Sequence, residues 1–149
     1  MSSQEESCYL ELWKYAFVGL QTMIKEIGAD MDQAGSLSLE AYDLLLQLEM
    51  SPGMALRMSD LAERALLSPS GITRAIDRLE KLGYVQREAD ATDGRATLAV
   101  LTPAGKAARK ESWCSYRQAI LSRFKERFTP EEAKAATEIL RKLRPGWLD

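Results

Sequence analysis

The fold is decided by one stretch of the chain, which reads SPSGITRAIDRLEKLGYVQREADATDGRATLAVLTPAG over residues 68–105. Its residue pattern predicts a helix over 69–82, followed by two strands that are joined by a charged loop. The pair Thr102 and Pro103 then marks the start of another helix. A polar helix face followed by a hairpin with one arginine at its tip suits a protein that lies on a DNA duplex and touches two grooves.

The predicted helix has an apolar face and a polar face. Ser68 is a residue type that caps helices, Pro69 is tolerated in a first turn, and Gly83 can end the helix. Four apolar residues recur at helical spacing and are predicted to be buried, namely Ile72, Ile76, Leu79 and Leu82. The opposite face carries six polar residues, namely Ser70, Thr73, Arg74, Asp77, Arg78 and Lys81. Small residues at its front would let this face enter a major groove, where arginines reach guanine edges or phosphates.

A shorter helix is predicted just before this one. Ser59 is the expected cap of a helical pattern over 59–65, with Leu61, Ala62 and Ala65 facing inward. Residues 66–68 are expected to form a tight connection to the next helix. Two helices that are joined by so short a turn are typical of a helix-turn-helix, whose second helix enters the major groove.

The two strands after the long helix predict a β-hairpin. Residues 84–88 are rich in strand formers, residues 96–101 can pair back onto them, and Asp93-Gly94 is turn chemistry. The loop exposes Arg95, and a narrow minor groove attracts an inserted arginine. Asp90 and Asp93 stand nearby, and a carboxylate could fix the direction of the arginine. The alternative is a surface salt bridge in a hairpin loop, which contributes little.

The joint pattern is more specific than any of its parts. It consists of Leu61-Ala62, the run GITRAIDRLE over 71–80, Gly83-Tyr84-Val85, Arg87, Asp90, Asp93-Gly94-Arg95 and the run LTPAG over 101–105. These residues closely resemble the MarR family of bacterial winged-helix regulators. The resemblance implies a homodimer that binds a pseudo-palindromic operator in double-stranded DNA. It also implies a recognition helix in the major groove and a wing arginine, matched by Arg95, in the minor groove, with Asp93 matching the wing aspartate.

The predicted DNA-binding residues lie on the helix face and the wing. They are Ser68, Ser70, Gly71, Thr73, Arg74, Arg78, Lys81, Asp93 and Arg95. Arg74 is nearer the front of the helix and is expected to read sequence, whereas Arg78 and Lys81 are expected to contact phosphates. The alternative is that this polar face is solvated, as on most surface helices, in a winged-helix module that binds another protein and no DNA.

Composition limits the other classes of function. The chain has 149 residues, 46% of them hydrophobic, which fits one domain. With no apolar run of membrane length, no visible signal peptide and two cysteines, we expect reduced thiols and a cytoplasmic location. The chain has no histidine, and it shows no nucleophile–base pair or phosphate loop. We therefore expect no enzyme activity, no cofactor and no metal site.

Charge is distributed unevenly along the chain, whose net charge is −2. Residues 1–50 hold two cations and nine carboxylates, for a net charge of −7. Residues 51–110 hold ten cations and seven anions, for +3, and residues 111–149 hold eight cations and six anions, for +2. The part with the motif is therefore the positive part, which is compatible with DNA binding.

The flanking segments predict further helices. A heptad-like stripe runs through Leu10, Trp13, Phe17, Leu20, Ile24 and Ile27. A second helix over 39–49 ends at Pro52-Gly53, a long helix starts at Thr102, and Thr129-Pro130-Glu131-Glu132 begins a last helix with a capping box. The small core cannot cover such broad stripes, so a second copy is expected to do so; the alternative is a monomeric helical cap.

The predicted fold class is mainly α with a small β-wing, a winged helix-turn-helix core flanked by N- and C-terminal dimerisation helices. We expect one MarR-type domain over 1–149, with the DNA-binding lobe over about 37–101 and dimerisation helices over 8–30 and 103–145. The expected function is that of a DNA-binding transcriptional regulator, a homodimeric repressor that responds to a ligand.

Effector binding is implied by the resemblance alone, since members of the family commonly bind small phenolic or anionic molecules. Trp13, Tyr42 and Arg57 are the candidate ligand-binding residues. The alternative for Trp13 and Tyr42 is a place in the core, where large aromatic side chains usually lie.

Overall fold

The computed structural model describes residues 3–65, 69–143 and 146. Within these residues the chain forms seven α-helices and one three-stranded antiparallel sheet. The helices are α1 (Ser3–Gln33), α2 (Leu39–Met50), α3 (Met58–Arg64), α4 (Pro69–Lys81), α5 (Pro103–Glu111), α6 (Trp113–Lys125) and α7 (Pro130–Leu140). The strands are β1 (Ala55–Arg57), β2 (Val85–Ala89) and β3 (Thr97–Leu101), and short 3-10 turns occupy Pro52–Met54 and Arg141–Leu143. The predicted fold class, mainly α with a small β-wing, is confirmed.

The chain divides into two compact units. One unit runs from Gly28 to Tyr116 and is called the winged unit here, because it holds α2 to α5 and the sheet. The other combines the chain up to Ile27 with the chain from Arg117 onward, and is called the terminal unit. The helices α1 and α6 each have residues in both units.

The winged unit has a continuous apolar core. Its buried residues come from α2, β1, α3, α4, β2 and β3, and they are Leu44, Leu45, Leu48, Leu56, Leu61, Ile72, Ala75, Ile76, Leu79, Val85, Ala99 and Leu101. Because each element contributes one apolar face, no single element could form this core without the others. The inward positions expected of Leu61, Ala62 and Ala65 are confirmed, with Leu61 fully buried and the two alanines packed against the core.

Helix α4 ends one residue earlier than the sequence predicted. The backbone N–H of Gly83 donates to Glu80 O at 2.9 Å, and that of Tyr84 donates to Leu79 O at 2.9 Å. Gly83 has φ of 76°, and this left-handed residue with its two bonds forms a Schellman cap. The chain therefore leaves the helix before Leu82 reaches the core, and its side chain is 60% exposed. The prediction that Leu82 is buried is wrong.

The sheet contains the predicted hairpin and one strand that was not predicted. β2 and β3 pair with Val85 opposite Leu101 and Ala89 opposite Thr97, close to the expected strands. β1 pairs with the other edge of β3, so that the strand order is β1-β3-β2. Helix α3 follows β1 directly and begins at Met58, so its N-cap is Arg57 and the expected cap Ser59 lies inside the helix.

The start of α5 is hydrogen-bonded to the connection between α4 and β2. The hydroxyl of Thr102 accepts a hydrogen bond from Gly105 N at 3.0 Å, which confirms the predicted cap, and donates to Gly83 O at 2.6 Å. A Cβ at Gly105 would lie 2.1 Å from the carbonyl oxygen of Tyr84. The motif therefore needs glycine here, because no side chain fits against that backbone.

The long helix expected from Thr102 onward is interrupted at Ser112. Its backbone N–H still donates to Ala108 O at 3.1 Å, but the regular helix stops at Glu111 and resumes at Trp113. The buried hydroxyl of Ser112 accepts a hydrogen bond from the backbone N–H of Leu37 at 3.2 Å. The serine thus satisfies a backbone donor that is 75 residues away in the chain.

The terminal unit has a different character. Helix α1 is 31 residues long, and the stripe residues Leu10, Trp13, Phe17, Leu20 and Ile24 are between 47% and 66% exposed. The carboxylate of Glu26 pairs with the guanidinium of Arg127 at 2.7 and 3.0 Å. Helix α7 begins with the predicted capping box, in which Thr129 and Glu132 each bond the other's backbone N–H. Long apolar surface therefore remains open to solvent in a single chain.

Candidate nucleic-acid interface

Helix α4 presents the predicted recognition face to solvent. The side chains of Ser70, Thr73, Arg74, Arg78 and Lys81 are exposed, and Gly71 is half-buried. The buried side of the same helix holds the core residues Ile72, Ile76 and Leu79, so the two faces follow the predicted helical spacing. The remaining predicted helix residue, Ser68, and its expected role as N-cap lie outside the described residues.

The cations on this face differ in their partners. The guanidinium of Arg78 lies 3.4 Å from a carboxylate oxygen of Glu40 on α2. Among the described residues, Arg74 and Lys81 have no hydrogen-bond or ion-pair partner, so their charges point to solvent. Thr73 donates its hydroxyl hydrogen to Pro69 O at 2.9 Å, one turn back in the helix. Arg74 and Lys81 are therefore available to an anionic partner such as a DNA phosphate or a base edge.

Arg87 connects the recognition helix to the wing, a role that was not predicted from the sequence. Arg87 lies on β2, and its guanidinium pairs with two carboxylates of α4, those of Asp77 at 2.7 Å and of Glu80. Burial acts to lower the pKa of Arg87, but the hydrogen bonds and charges of the two carboxylates outweigh it and raise the pKa. The sequence feature that could have indicated this role is the place of Arg87 in the family motif, at the start of the hairpin after the recognition helix.

The wing loop presents Arg95 at an exposed turn. The backbone N–H of Ala96 donates to Asp93 O at 2.9 Å, which closes a turn with Gly94 and Arg95 at its centre. A carboxylate oxygen of Asp93 accepts a bond from the backbone N–H of Arg95 at 3.1 Å. The guanidinium of Arg95 has no hydrogen-bond or ion-pair partner in the part of the chain that the structure describes.

The expected link between a wing carboxylate and Arg95 takes a form that the sequence did not suggest. Asp93 bonds the backbone N–H of Arg95, so it orders the turn and does not pair with the guanidinium. Asp90 bonds Thr92 and Arg57. The hydrogen bonds from the side chain and backbone of Thr92, together with Arg57, lower the pKa of Asp90 to about 2.

The three candidate effector residues have protein contacts in the structure. Trp13 is 66% exposed and stacks on Phe17 with ring centres 5.3 Å apart, so its core interpretation is wrong. Tyr42 is buried and stacks on Tyr116 at 4.1 Å, so its core interpretation is confirmed. Arg57 pairs with Asp90 at the base of the wing. Tyr42 and Arg57, both in the winged unit, thus belong to separate clusters of side chains.

Tyr42 lies in a partly buried polar cluster that was not predicted from the sequence. The guanidinium of Arg109 donates to the hydroxyl of Tyr42 at 3.2 Å and pairs with Glu49. Burial raises the pKa of Tyr116, and Tyr42 and Asp43 raise it further. These residues come from α2, α5 and α6, so only the folded unit brings them together.

A surface cavity of about 270 Å³ lies between the start of α2 and helix α4. Its lining residues are Ser36, Leu37, Ser38, Glu40, Ala41, Ala75, Arg78, Leu79 and Leu82. The exposed side chain of Leu82 forms part of this wall. The candidate effector residues Tyr42 and Arg57 do not line it.

The described residues contain no group of three or more His, Cys, Asp or Glu side chains placed to hold a metal ion. No helix among them combines the length and the apolar character that crossing a membrane requires.

Comparison with known proteins gives consistent results. The model of the MarR family matches residues 36–96. The HTH-type transcriptional repressor Rv2887 of Mycobacterium tuberculosis is 30% identical over 118 residues, which are 79% of this chain and 82% of the relative. An uncharacterised HTH-type regulator of Bacillus subtilis, YwhA, is 33% identical over 86 residues, 58% of this chain and 61% of that relative.

A solved structure agrees over almost the whole chain. Sco3205 of Streptomyces coelicolor, a MarR family transcriptional regulator crystallised in complex with DNA, superposes with a TM-score of 0.76 and 27% identity. The match covers 98% of this chain and 92% of that one. The recognition helix, the hairpin and the sequence motif thus agree with the comparisons, and the chain belongs to the MarR family of winged helix-turn-helix transcriptional regulators.

Proposed function

We propose that this regulator binds double-stranded DNA and represses transcription, with α4 in the major groove and Arg95 in the adjacent minor groove. One observation carries the proposal. Within one compact unit, the recognition helix and the wing tip expose Arg74, Lys81 and Arg95, whose charges are not neutralised by other described side chains. Cations that have no partner among the described residues, at a helix face and at a hairpin tip, match the two grooves of B-DNA.

The relatives support the same proposal. Rv2887 is named a repressor, and Sco3205 was crystallised with DNA. In this proposal Ser70, Gly71 and Thr73 allow close approach of α4, and Asp93 belongs to the DNA-binding surface because it orders the wing turn. Ser68 would belong to the same surface. The proposed place of action is the cytoplasm, where bacterial DNA is accessible.

We further propose that the active form is a homodimer on a pseudo-palindromic operator. The exposed stripe of α1 and the exposed rings of Phe124 and Phe128 give the terminal unit the apolar surface that a second copy would bury. Two recognition helices related by a two-fold axis would meet two half-sites about one or two DNA turns apart. The dimer would thus explain both the exposed stripe and the expected operator symmetry.

Release by a small phenolic or anionic effector completes the proposal, with Trp13, Tyr42 and Arg57 as the candidate residues. The indole of Trp13 is exposed in the single chain, and in the proposed dimer a ligand would meet it at the interface. Tyr42 is buried, so a ligand would have to displace its neighbours to reach it. An anion at Arg57 would have to compete with Asp90. An enzymatic role has no place in this proposal, because the family consists of regulators.

DNA binding is tested by selecting duplex fragments with the purified protein and measuring their affinity over a salt series. We expect affinity to fall steeply with salt, because cations that neutralise phosphates release counterions. Arg95→Ala should weaken operator binding by ~1–3 kcal/mol while the protein stays folded. If no duplex is enriched at low salt, a protein-binding winged helix becomes the better interpretation. If Arg95→Ala binds with unchanged affinity, the minor-groove contact is refuted.

A further inference from the structure

We propose that Arg57 is a positioning residue for the wing, which holds the hairpin loop through Asp90 so that Arg95 is presented to the minor groove. The inference rests on the DNA binding proposed above. It gives Arg57 a role that requires no contact with DNA and no contact with an effector.

Arg57 has a fixed backbone. It is the last residue of β1 and pairs across the sheet with Leu98 of β3. Its Nε donates to Oδ2 of Asp90 at 2.7 Å, and its Nη2 lies 2.6 Å from the same oxygen. A hydrogen bond between two ionised groups is shorter and stronger than one between neutral groups. Asp90 is therefore tied to the sheet from a strand outside the hairpin.

The other oxygen of Asp90 holds the loop itself. Oδ1 accepts from the backbone N–H of Thr92 at 2.8 Å and from its hydroxyl at 2.7 Å. The backbone N–H of Asp90 donates to Ala96 O at 3.0 Å, which closes the base of the loop. One carboxylate thus joins β1 to the turn that leads into the tip.

The conformation of the wing loop is held by polar contacts. The residues 91–95 are all exposed, so apolar burial does not fix their positions. Between Thr92 and the tip, the carboxylate of Asp93 bonds the backbone N–H of Arg95, and the carbonyl of Asp93 bonds Ala96. The direction of Arg95 therefore depends on a chain of bonds that begins at Arg57.

The charges fit a positioning role. The side chain of Asp90 is only 10% exposed and faces a cation, so its negative charge is largely directed inward. The side chain of Arg57 is 41% exposed, and an isolated ion pair of this exposure contributes little to stability. The ion pair between Arg57 and Asp90 therefore acts on the geometry of the wing rather than on stability.

Asp90→Asn separates positioning from simple electrostatics. Removal of a carboxylate near DNA should strengthen binding if charge alone matters, because the phosphates repel it less. If Asp90 positions the wing, Asp90→Asn should instead weaken DNA binding, since the amide cannot hold Arg57 as a carboxylate does. We expect Asp90→Asn to bind the selected operator about 5- to 10-fold more weakly than the unmodified protein, an effect of the size of one lost groove contact. Tighter binding would overturn the proposal.

A double-mutant cycle with Arg95 tests the connection. Arg57→Gln should weaken operator binding about 5- to 10-fold alone and less than about twofold in an Arg95→Ala background, since there is then no arginine to position. If Arg57 instead contacts a phosphate, Arg57→Gln should cause the same fold-loss of affinity with and without Arg95→Ala. The slope of log affinity against log salt concentration should then fall by about one in both backgrounds. That additive result would overturn the proposal. If Arg95→Ala itself changes nothing, the proposed minor-groove contact fails, and the two failures can be told apart.

Arg57→Lys supplies the conservative control. Lysine keeps the charge but lacks the planar pair of donors, so it should restore binding only in part. Full restoration would indicate that charge alone is needed and would contradict positioning. Circular dichroism melting curves check that each variant is folded, and if Arg57→Gln does not fold, Arg57→Lys replaces it in the cycle.

Discussion

The winged unit and the terminal unit use apolar residues in opposite ways. In the winged unit, twelve apolar residues from six elements are buried, and none of the twelve is more than 7% exposed. In the terminal unit, the stripe of α1 shows the same helical regularity, yet five of its six members are between 47% and 66% exposed, and Ile27 at its end is buried. Both segments therefore have the periodicity of helices that bury one face.

The difference shows what periodicity can and cannot tell. It identifies which face of a helix is apolar, but it does not identify what covers that face. In the winged unit the cover is supplied by neighbouring elements of the same chain, and a core results. In the terminal unit the described residues do not supply it, and a second copy is the cover that we propose.

The largest effect is expected from Phe17→Glu combined with Leu20→Glu, both on the exposed stripe of α1. Charges on this face should prevent dimerisation, because burying a carboxylate in an apolar interface is costly. Operator affinity should then fall by about 10²- to 10⁴-fold, the gain that two linked binding sites give over one. Sedimentation equilibrium and duplex titration measure the two effects.

Exposed residues of the same helix provide the matched control. Gln21→Glu and Thr22→Glu add the same charges to exposed polar positions of α1. This variant should dimerise and bind normally. An unmodified protein that is a stable monomer at micromolar concentration would contradict the proposed assembly, as would a Phe17→Glu/Leu20→Glu variant that stays dimeric.

A second experiment compares one isoleucine from each unit. Ile76→Ala removes a fully buried side chain from the winged core and should lower the free energy of unfolding by about 2–5 kcal/mol. Its dimer dissociation constant should not change. Ile24→Ala, on the exposed stripe, should instead raise the dimer dissociation constant about tenfold, since each 1.4 kcal/mol is a factor of ten.

Urea denaturation and sedimentation, each over a range of protein concentrations, distinguish the two variants. The comparison between the units fails if Ile24→Ala weakens the monomer as much as Ile76→Ala does. It also fails if Ile76→Ala dissociates the dimer without affecting folding.

Within the winged unit, Arg74 should differ from the other cations of α4. Arg74→Ala should lower the preference for operator over random duplex by ~1–3 kcal/mol, since an arginine near the front of the helix can reach a base edge. Arg78→Ala and Lys81→Ala should weaken both duplexes alike and reduce the salt slope. An Arg74→Ala variant with the original preference would show that the base contact lies elsewhere.

The smallest effect concerns pH. The pKa of Asp90 is lowered to about 2 from an ordinary value near 4, so its ionised form stabilises the fold. That stabilisation is fully present above about pH 4 and is lost as the pH falls through about 2. Unfolding of the unmodified protein and Asp90→Asn should therefore differ by a constant amount from pH 5 to 8, and the difference should shrink toward pH 2. A difference that changes near neutral pH would contradict this assignment.

Local signals were sufficient for much of the fold. The caps at Thr102 and Thr129 were predicted because each threonine accepts its capping hydrogen bond from a backbone N–H three residues later in the chain. The hairpin was predicted because turn chemistry and strand formers stand next to each other in the chain. On the recognition helix the exposed and buried faces followed the predicted spacing, and the exception was Leu82, where the Schellman cap turned the chain away from the helix.

Long-range pairing accounts for what the sequence did not predict. β1 has three residues, too few for a periodic signal, and it is a strand because β3 offers an unpaired edge. Arg57 and Asp90 are 33 residues apart, and nothing in the sequence pairs this arginine with that aspartate. The same holds for Ser112 and Leu37, and for Arg109 and Tyr42.

By itself, then, the sequence determined the type and order of the helices, the hairpin, the family and the set of cations expected at DNA, because these depend on neighbouring residues and on motif spacing. The tertiary structure decided which cations are neutralised and which remain available. It placed Arg78 beside Glu40 and Arg57 beside Asp90, and among the described residues it left Arg74 and Arg95 without a partner. The physical reason is that an ion pair depends on distance in space, and that distance is fixed only when the elements pack.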